Sequence, residues 1–359
     1  MTEVLTVLGA RPQFIKAAPV SRALRDAGLN EQIVHTGQHY DAGMSDVFFD
    51  ELGIPSPTYN LGVSGGGHGE MTGAMLQALE PLLLDKQPNW VLVYGDTNST
   101  LAGALAASKL NIPVAHVEAG LRSFNRRMPE EQNRVVTDHL SDLLFTPTDA
   151  ATRRLEQEGI PGERVRQVGD VMFDAALFYG ERAMEKSRVL DRLKLALGDY
   201  VLATVHRAEN TDDPGRLRAI VEGLDAVAAD RPVILPVHPR TRAALERENL
   251  TFKQTTIIEP VGYLDMVLLE RHAAVIATDS GGVQKEAYFY RVPCVTLRYE
   301  TEWTELVELG WNRLAPPCNA DIAAEVLAAV GTNGLAGEPY GDGAAAVELA
   351  TALAGLKIN

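Results

Sequence analysis

Short apolar runs that end in a polar or glycine-containing turn recur along the chain, and helical patterns follow several of them. A continuous apolar run is typical of a strand buried on both faces, and strands that alternate with helices are typical of a parallel sheet. The first half of the chain therefore predicts a parallel α/β unit, with strands over 4–8, 32–36, 90–94 and 114–117 and helices over 14–24 and 100–109.

The second half repeats the same scheme. Apolar runs at 200–204, 233–236, 274–277 and 294–297 predict strands, and helical patterns follow at 214–229 and after the Ser-Gly-Gly at 280–282. We therefore predict two Rossmann-like, doubly wound domains, over 1–168 and 169–342, with the crossing near 167–174. The Ala-rich segment 343–359 is expected to form a helix that packs back on the first domain.

Length and composition agree with this organisation. A chain of 359 residues exceeds what one core usually serves, and 46% hydrophobic with 23% charged residues is typical of globular proteins. The net charge of −15 argues against nucleic acid or anionic membrane surfaces as partners. With two cysteines, no basic leader and no apolar run of roughly 20 residues, a cytoplasmic setting is expected.

Three acidic residues lie in turn-like segments: Asp96 in YGDTNST, Glu118 in HVEAGLRS and Glu131 in MPEEQNR. Carboxylates at strand ends and at a helix start are where an α/β protein places proton-transfer groups. Each has an ordinary alternative, since Asp96 could cap a helix, Glu118 could pair with Arg122, and Glu131 could favour a helix start. Their coincidence with Arg122 and Arg134 favours a charged pocket that performs acid/base chemistry.

The segment TDSGGVQKE predicts a binding site. Ser280 caps a helix after a strand, and Gly281 and Gly282 would let a phosphate approach the free backbone amides of the helix start. Glu286, one turn later, could accept hydrogen bonds from both ribose hydroxyls of a nucleotide. A capped helix with glycines for close packing is the ordinary alternative.

Basic and imidazole side chains stand at further strand ends. Arg11 and Lys16 flank the first helix start and could contact phosphate, although surface solvation is their ordinary alternative. His206 and His238 follow two consecutive strands of the second domain, at the edge where ligands bind. No zinc-motif spacing and no G-x-G-x-x-G occurs, so neither a metal nor a nicotinamide cofactor is predicted.

Taken together, the segments GARPQFIKAAPV, TGQHYD, VYGDTNST, HVEAGLRS, MPEEQNR, TVHRAEN, VHPR and TDSGGVQKEA, followed by VPCVTLR and TEW, resemble the non-hydrolysing UDP-N-acetylglucosamine 2-epimerase family. The resemblance implies a GT-B architecture with the active site in the interdomain cleft, a homodimer, a UDP-sugar substrate and no external cofactor. It also implies the reaction: anti elimination of UDP to a 2-acetamidoglucal, followed by re-addition with the other configuration at C2.

The resemblance assigns roles to residues. It implies that Asp96, Glu118 and Glu131 are the catalytic carboxylates, with His206 near the diphosphate as an aid to the leaving group. The residues that match the family's UDP-binding positions, with Arg134 as a phosphate or substrate contact, are Arg11, Lys16, Arg134, His206, Ser280, Gly281, Gly282 and Glu286. Possible further substrate contacts are His39, Arg122, His238 and Arg298.

Four alternatives stay open. Segments such as HYDAGMSDVFF, HGEMTGAML and QKEAYFY look more like the branch that acts on UDP-2,3-diacetamido-2,3-dideoxyglucuronate. A hydrolysing 2-epimerase, a GT-B glycosyltransferase and a non-catalytic UDP-sugar sensor would share the nucleotide site. UDP-GlcNAc is favoured as substrate because it is the commoner one of such sequences, and polysaccharide biosynthesis is the expected setting.

Overall fold

The computed structural model describes residues 2–38, 53 and 55–355. The chain divides into two compact units, of which the first comprises Met1–Ala175 and Glu338–Asn359 and the second Ala176–Gly337. Each unit is a parallel α/β sheet with helices between its strands, so the predicted fold class is confirmed. Among the described residues, no helix combines the length and apolarity needed to span a bilayer.

In the part of the first unit that the structure describes, seven strands form one sheet in the order β3-β2-β1-β4-β5-β6-β7, and every pairing is parallel. The strands are β1 Glu3–Leu8, β2 Asn30–His35, β3 Tyr59–Asn60, β4 Trp90–Tyr94, β5 Val114–Val117, β6 Leu143–Thr146 and β7 Val165–Gln167. The helices are α1 Arg11–Asp26, α2 His68–Lys86, α3 Asn98–Lys109, α4 Pro129–Leu140, α5 Asp149–Gln157 and α6 Val171–Lys186, which continues into the second unit, with α15 Ala345–Gly355 near the end of the chain.

The central strands are mostly apolar, with Thr6 of β1 and His116 of β5 as buried polar exceptions, because helices cover both faces of the sheet. On one face Val7 and Val93 pack with Leu79 of α2 and Ala104 of α3. A Cβ atom at Gly103 would lie 3.0 Å from a methyl of Val93, so α3 lies too close to the sheet for a larger residue there. This packing places the start of α3 directly after β4, where Asp96 lies.

Helix α15 completes the first unit. It packs against α1, and its backbone N–H at Ala346 donates to Oδ1 of Asp174 at 2.9 Å. The sequence placed the domain crossing near residue 168 and the returning helix over 343–359. In the structure the chain enters the second unit inside α6, after Ala175, and returns at Glu338.

The second unit has six strands in its described residues, in the order β10-β9-β8-β11-β12-β13, again all parallel. They are β8 Val201–Thr204, β9 Val233–Pro236, β10 Thr256–Ile258, β11 Val275–Thr278, β12 Cys294–Thr296 and β13 Asn312–Leu314. The helices are α7 Val189–Leu193, α8 Ala208–Thr211, α9 Pro214–Ala228, α10 Pro239–Arg247, α11 Tyr263–Arg271, α12 Gly281–Phe289, α13 Thr304–Glu308 and α14 Ile322–Ala329. The order reverses direction beside β8 and β11, and ligands of open α/β sheets bind at such points.

Candidate active site

Asp96 and Glu118 follow neighbouring strands at the same edge of the first sheet. Tyr94 of β4 pairs with Val117 of β5, so Asp96 lies two positions and Glu118 one position beyond the last residue pair of these strands. Glu118 has φ 69°, in the left-handed region that disfavours residues with a side chain. The backbone therefore makes a sharp turn at the residue that presents this carboxylate.

Lys16 of α1 forms an ion pair with Oε2 of Glu118, and both side chains are largely buried. Gly95 has φ 63°, and a Cβ there would lie 3.2 Å from Nζ of Lys16 and 3.4 Å from Oε2 of Glu118. Glycine at 95 thus permits both the turn and the ion pair. The sequence suggested Lys16 as a phosphate contact and Arg122 as a partner of Glu118, whereas the structure pairs Glu118 with Lys16.

Glu131 lies in the first turn of α4 and is only 4% exposed. Its carboxylate accepts hydrogen bonds from the backbone N–H and hydroxyl of Ser123, at 2.8 and 3.0 Å, and from the N–H of Phe124 at 2.9 Å. Burial alone would raise the pKa of Glu131, but the hydrogen bonds from Ser123 and Phe124 and the charge of Arg134 lower it below its ordinary value. Glu131 is therefore an ionised carboxylate that hydrogen bonds fix in position.

Arg134, one turn further along α4, joins the carboxylates. It donates to Oδ2 of Asp96 at 2.5 Å and to Oε2 of Glu131 at 3.0 Å. Burial works against its charge, yet Asp96, Glu131 and Glu118 raise the pKa of Arg134 above its ordinary value. Asn133 donates from Nδ2 to the backbone oxygen of Asp96 at 2.9 Å. The sequence did not single out Asn133, because its neighbour in the fold lies 37 positions away along the chain.

Arg122 does not present its guanidinium to a ligand. Its side chain is 1% exposed and donates to Glu158 through Nε and Nη2 and to Asp138 and the carbonyl of Leu121 through Nη1. The charges of Glu158 and Asp138 outweigh the effect of burial and raise its pKa. The predicted substrate contact by Arg122 is therefore not supported, because these partners already occupy its nitrogens.

In the second unit, a carboxylate that the sequence did not single out organises the turn after β8. Asp279 is fully buried and accepts hydrogen bonds from the backbone N–H groups of His206 and Arg207 and from Nδ2 of Asn210, all at 3.0–3.1 Å. Nδ1 of His206 lies 3.4 Å from Oδ1 of Asp279. The imidazole that the sequence placed near the diphosphate therefore lies beside this carboxylate.

His238 stands beside His206, with ring centroids 5.6 Å apart. Its Nδ1 accepts the backbone N–H of Arg240 at 3.1 Å, which caps α10. Burial, followed by the charges of His206 and Arg240, lowers the pKa of His238 below its ordinary value. The two predicted histidines therefore come together, with positive charge disfavoured on His238.

The predicted phosphate site lies at the start of α12. Ser280 is its N-cap, with Oγ 3.5 Å from the N–H of Val283, and Gly282 is exposed with open space around its Cα. The indole of Trp303 donates to the carbonyl of Gly281 at 2.8 Å, and Nη2 of Arg207 would lie 3.6 Å from a Cβ at Gly281. Glu286 follows on the same helix and is half-buried. Arg207 is thus a further cation at this helix start, which the sequence did not indicate.

Arg298 is also engaged internally. Its side chain is largely buried and donates to both carboxylate oxygens of Glu302, at 3.0 and 3.2 Å, and to Glu209 at 3.0 Å. Glu302 and Glu209 outweigh burial and raise its pKa. The predicted substrate contact by Arg298 is not supported for the same reason as that of Arg122.

The side chains of two predicted site residues, His39 and Arg11, lie outside what the structure describes. His39 lies outside the described residues, and of Arg11 the structure describes the backbone, which begins α1. Across the ranges that the structure describes, no three or more His, Cys, Asp or Glu side chains are grouped to hold a metal ion.

Comparison with known proteins identifies similar chains over nearly the whole length. The family model described as UDP-N-acetylglucosamine 2-epimerase matches residues 22–354. The UDP-2,3-diacetamido-2,3-dideoxy-D-glucuronate 2-epimerase of Pseudomonas aeruginosa is 52% identical over 360 residues, which cover 99% of this chain and 100% of that protein. A UDP-N-acetylglucosamine 2-epimerase homolog of Methanococcus maripaludis is 54% identical over 319 residues, covering 87% of this chain and 88% of that protein.

Solved structures give the same result. The crystal structure of the Methanocaldococcus jannaschii UDP-GlcNAc 2-epimerase in complex with UDP-GlcNAc and UDP superimposes with a TM-score of 0.87 at 44% identity, covering 98% of this chain and 99% of that chain. The similarity therefore includes both units.

Proposed function

The chain belongs to the UDP-N-acetylglucosamine 2-epimerase family, and from this premise we propose that it interconverts UDP-GlcNAc and UDP-ManNAc without net hydrolysis. In this reaction the C2 proton and UDP leave to give a 2-acetamidoglucal, and UDP then adds back with the opposite configuration at C2. The observation that carries the proposal is the carboxylate arrangement of the first unit, in which Arg134 joins Asp96 to Glu131 and Lys16 holds Glu118.

The chemistry explains why several carboxylates are needed. The C2 proton is weakly acidic because its neighbour is an amide nitrogen and not a carbonyl, so departure of the diphosphate must develop together with proton removal. A positioned acid or base contributes about 10²- to 10⁴-fold. Glu131 is already occupied by donors from Ser123, Phe124 and Arg134, so we assign proton transfer at C2 to Asp96 and Glu118.

Asp96 is the more accessible of these two groups. Its side chain is 34% exposed, against 10% for Glu118, and among the described residues it pairs with Arg134. A carboxylate that acts as a base must reach the substrate carbon within hydrogen-bond distance. We therefore propose Asp96 as the group that removes or returns the proton on one face of C2 and Glu118, close to Lys16, as its counterpart.

The second unit supports the leaving-group role. The free amides at the start of α12, with Ser280, Gly281 and Gly282, form an anion-binding end of a helix of nine residues. His206, beside Asp279, and the neighbouring Arg207 supply further donors for a diphosphate. We propose that these groups hold UDP while it is detached from the sugar and that Glu286 binds its ribose.

We further propose that the enzyme works in the cytoplasm as a homodimer and supplies a polysaccharide pathway. Two cysteines in 359 residues and a net charge of −15 support a reducing compartment and a small-molecule partner. The family resemblance supports the dimer.

A second candidate substrate is UDP-2,3-diacetamido-2,3-dideoxyglucuronate. The named P. aeruginosa relative, which is 52% identical over 99% of this chain, favours it. Its extra carboxylate would need a cation, and Arg122 and Arg298 are committed to internal ion pairs. Arg126 and Arg127 are exposed in the loop that Glu131 holds through Ser123 and would be the candidates for this contact.

Proton exchange in D₂O tests the proposal. Incubation with UDP-GlcNAc should place deuterium at C2 of both UDP-GlcNAc and UDP-ManNAc, as observed by NMR, with total UDP-sugar conserved. A hydrolysing enzyme would release UDP progressively, and a glycosyltransferase or a sensor would leave C2 protonated. Faster exchange with the diacetamido-uronate than with UDP-GlcNAc would select the second candidate, and no exchange with either sugar would overturn the proposal.

A further inference from the structure

A buried histidine contacts the turn that carries Asp96. His116, in the middle of β5, is fully buried, and its Nε2 lies 2.7 Å from the backbone oxygen of Gly95, the residue before Asp96. Its Nδ1 lies 2.7 Å from Oδ1 of Asp138, which is also fully buried on α4. The ring therefore joins the end of β4 to α4.

Asp138 contacts the turn that carries Glu118. Its second oxygen, Oδ2, accepts the backbone N–H of Gly120 at 3.1 Å and Nη1 of Arg122 at 2.7 Å. Gly120 has φ 80°, and a Cβ there would lie 2.5 Å from the carbonyl oxygen of Ala151, so this turn requires glycine at position 120. The turns after β4 and β5 are thus tied to one His–Asp pair.

The partners of His116 determine how many protons its ring carries. A carbonyl oxygen only accepts, so Nε2 must donate to Gly95. Oδ2 of Asp138 accepts from Gly120 and from the guanidinium of Arg122 independently of His116. Burial would raise the pKa of Asp138, but its contacts with His116 and Arg122 hold that pKa below its ordinary value, and the fixed charge of Arg122 favours the carboxylate. With an ionised carboxylate opposite Nδ1, this nitrogen must donate as well. Both ring nitrogens are donors only in the imidazolium form.

Charged groups surround the partner of the ring. Arg122 binds Asp138 on one side and Glu158 on the other. Arg154 is a further cation near Arg122 and Glu158, and burial and the charge of Arg122 lower its pKa. Glu118, just beyond the same strand, has its own cation, Lys16. A buried charge is tolerated when it is paired and hydrogen-bonded, and removing one partner of such a pair is strongly destabilising.

We propose that His116 is a permanently protonated positioning residue. Its Nε2–H holds the carbonyl of Gly95, and its partner Asp138 holds the backbone N–H of Gly120. One charged pair thus fixes the two turns that carry Asp96 and Glu118. Charge-assisted hydrogen bonds are roughly twice as strong as neutral ones. The catalytic consequence rests on the proposed function, but the charge of the ring does not.

The first test reads the charge of the ring directly. In protein labelled with ¹⁵N-histidine, His116 should show two protonated ring nitrogens at about pH 8, where a free histidine with a pKa of about 6.5 is neutral. His116→Gln identifies its signals by their loss. A neutral ring at that pH would overturn the proposal.

The second test separates charge from shape. In Asp138→Asn the introduced amide would donate to Nδ1 of a neutral His116, while its oxygen would still accept from Gly120 and Arg122, so the contacts persist without the charge. We expect the ring to lose one proton and kcat for C2 deuterium exchange to fall at least about tenfold, with KM within about twofold. An unchanged kcat with a neutral ring, or a ring that stays charged, would contradict the proposal.

Asp142→Asn is the matched control. Oδ2 of Asp142 accepts the N–H of Val114 at 2.9 Å at the opposite end of β5, so this variant also alters a carboxylate that holds the strand. It should leave exchange unchanged. If the unaltered protein exchanges no deuterium with any UDP-hexosamine, the proposed function fails, whereas the ¹⁵N spectrum still decides the charge of His116.

Discussion

Arg134 binds Asp96 at 2.5 Å across 38 positions of sequence, and the same guanidinium binds Glu131 one turn earlier on α4. One cation therefore faces two of the three carboxylates that the sequence singled out. We expect Arg134 to order these two carboxylates, and its contact with phosphate or substrate stays a prediction.

Replacement of Arg134 by lysine tests this assignment. A single ammonium cannot reproduce the forked donation to Asp96 and Glu131, so we expect Arg134→Lys to lower kcat for C2 exchange by about 10- to 100-fold. UDP affinity, measured by calorimetry, should stay within about twofold. Arg153→Lys, at an exposed pair with Asp149, is the control and should have no effect. A selective loss of UDP affinity would instead assign Arg134 to the diphosphate.

Asp96 and Glu131 should differ in what their amide variants do to stability. Asp96→Asn should reduce exchange by at least about 10²-fold, because it removes a proposed proton-transfer group. Glu131→Gln should reduce exchange by a similar factor, because it removes the charge opposite Arg134, which positions Asp96. UDP binding should be largely kept in both variants. Only Glu131→Gln should also lower Tm, because the amide leaves at least one donor of Ser123 or Phe124 unsatisfied, at about 1–3 kcal/mol. Calorimetry of both variants checks this, and equal Tm losses would contradict the distinction.

Replacement of Gly282 by alanine should weaken UDP binding without destabilising the fold. A methyl group at this position would meet only Oγ of Ser280 at 3.9 Å, and alanine favours helices by up to about 1 kcal/mol over glycine. Gly282→Ala should therefore keep or raise Tm while it weakens UDP binding at least about tenfold, because the methyl group blocks the approach of phosphate to the amides. Gly73→Ala, in α2 with open space around it, is the control for helix stability. If Gly282→Ala binds UDP as tightly as the unaltered protein, the proposed phosphate site at the start of α12 is contradicted.

Asp174 should make stability depend on pH. Burial raises its pKa to about 6, despite hydrogen bonds from Ala346 and Ala345 that lower it. The folded state therefore holds this proton more tightly than the unfolded state, so the free energy of unfolding falls as pH rises from about 4 to about 6 and the loss then stays constant. The loss is at most about 2–3 kcal/mol.

Asp174→Asn should remove this dependence. The Tm of the variant relative to the unaltered protein should be higher at pH 7 than at pH 4.5, since the amide stays neutral and keeps an acceptor for Ala346. Asp342→Asn, at an exposed carboxylate that accepts the N–H of Ala344, should show no such trend. A Tm difference for Asp174→Asn that is the same at both pH values would contradict the shifted pKa.

The sequence predicted what local pattern determines. Apolar runs located the central strands, and the residues just beyond them, Asp96, Glu118, His206 and Ser280, lie at the carboxyl ends of those strands in the structure. The strand-then-helix order also predicted two doubly wound units. The sequence did not predict β6 or the edge strands β3, β7, β10 and β13, and these edge strands have only two or three residues each.

Pairings between distant residues were not predictable in the same way. Arg122 looked available in sequence, but Glu158 lies 36 positions later and occupies it. The sequence did not identify Asp279 or Asp138 as important. A buried carboxylate is recognisable only from its folded partners, which are the N–H of His206 for Asp279 and the ring of His116 for Asp138. Burial and tertiary hydrogen bonding thus decide which charged residues remain open to a ligand.

Because the chain returns to the first unit at Glu338, the two units cannot be completed in the order in which they begin during synthesis. During synthesis, residues 176–337 emerge as one uninterrupted stretch and have all their own strands, whereas the first unit lacks α15 and the backbone amide that Asp174 binds. Domains generally fold as units while the chain grows. The unit that carries the carboxylates is therefore begun first on the ribosome and completed last.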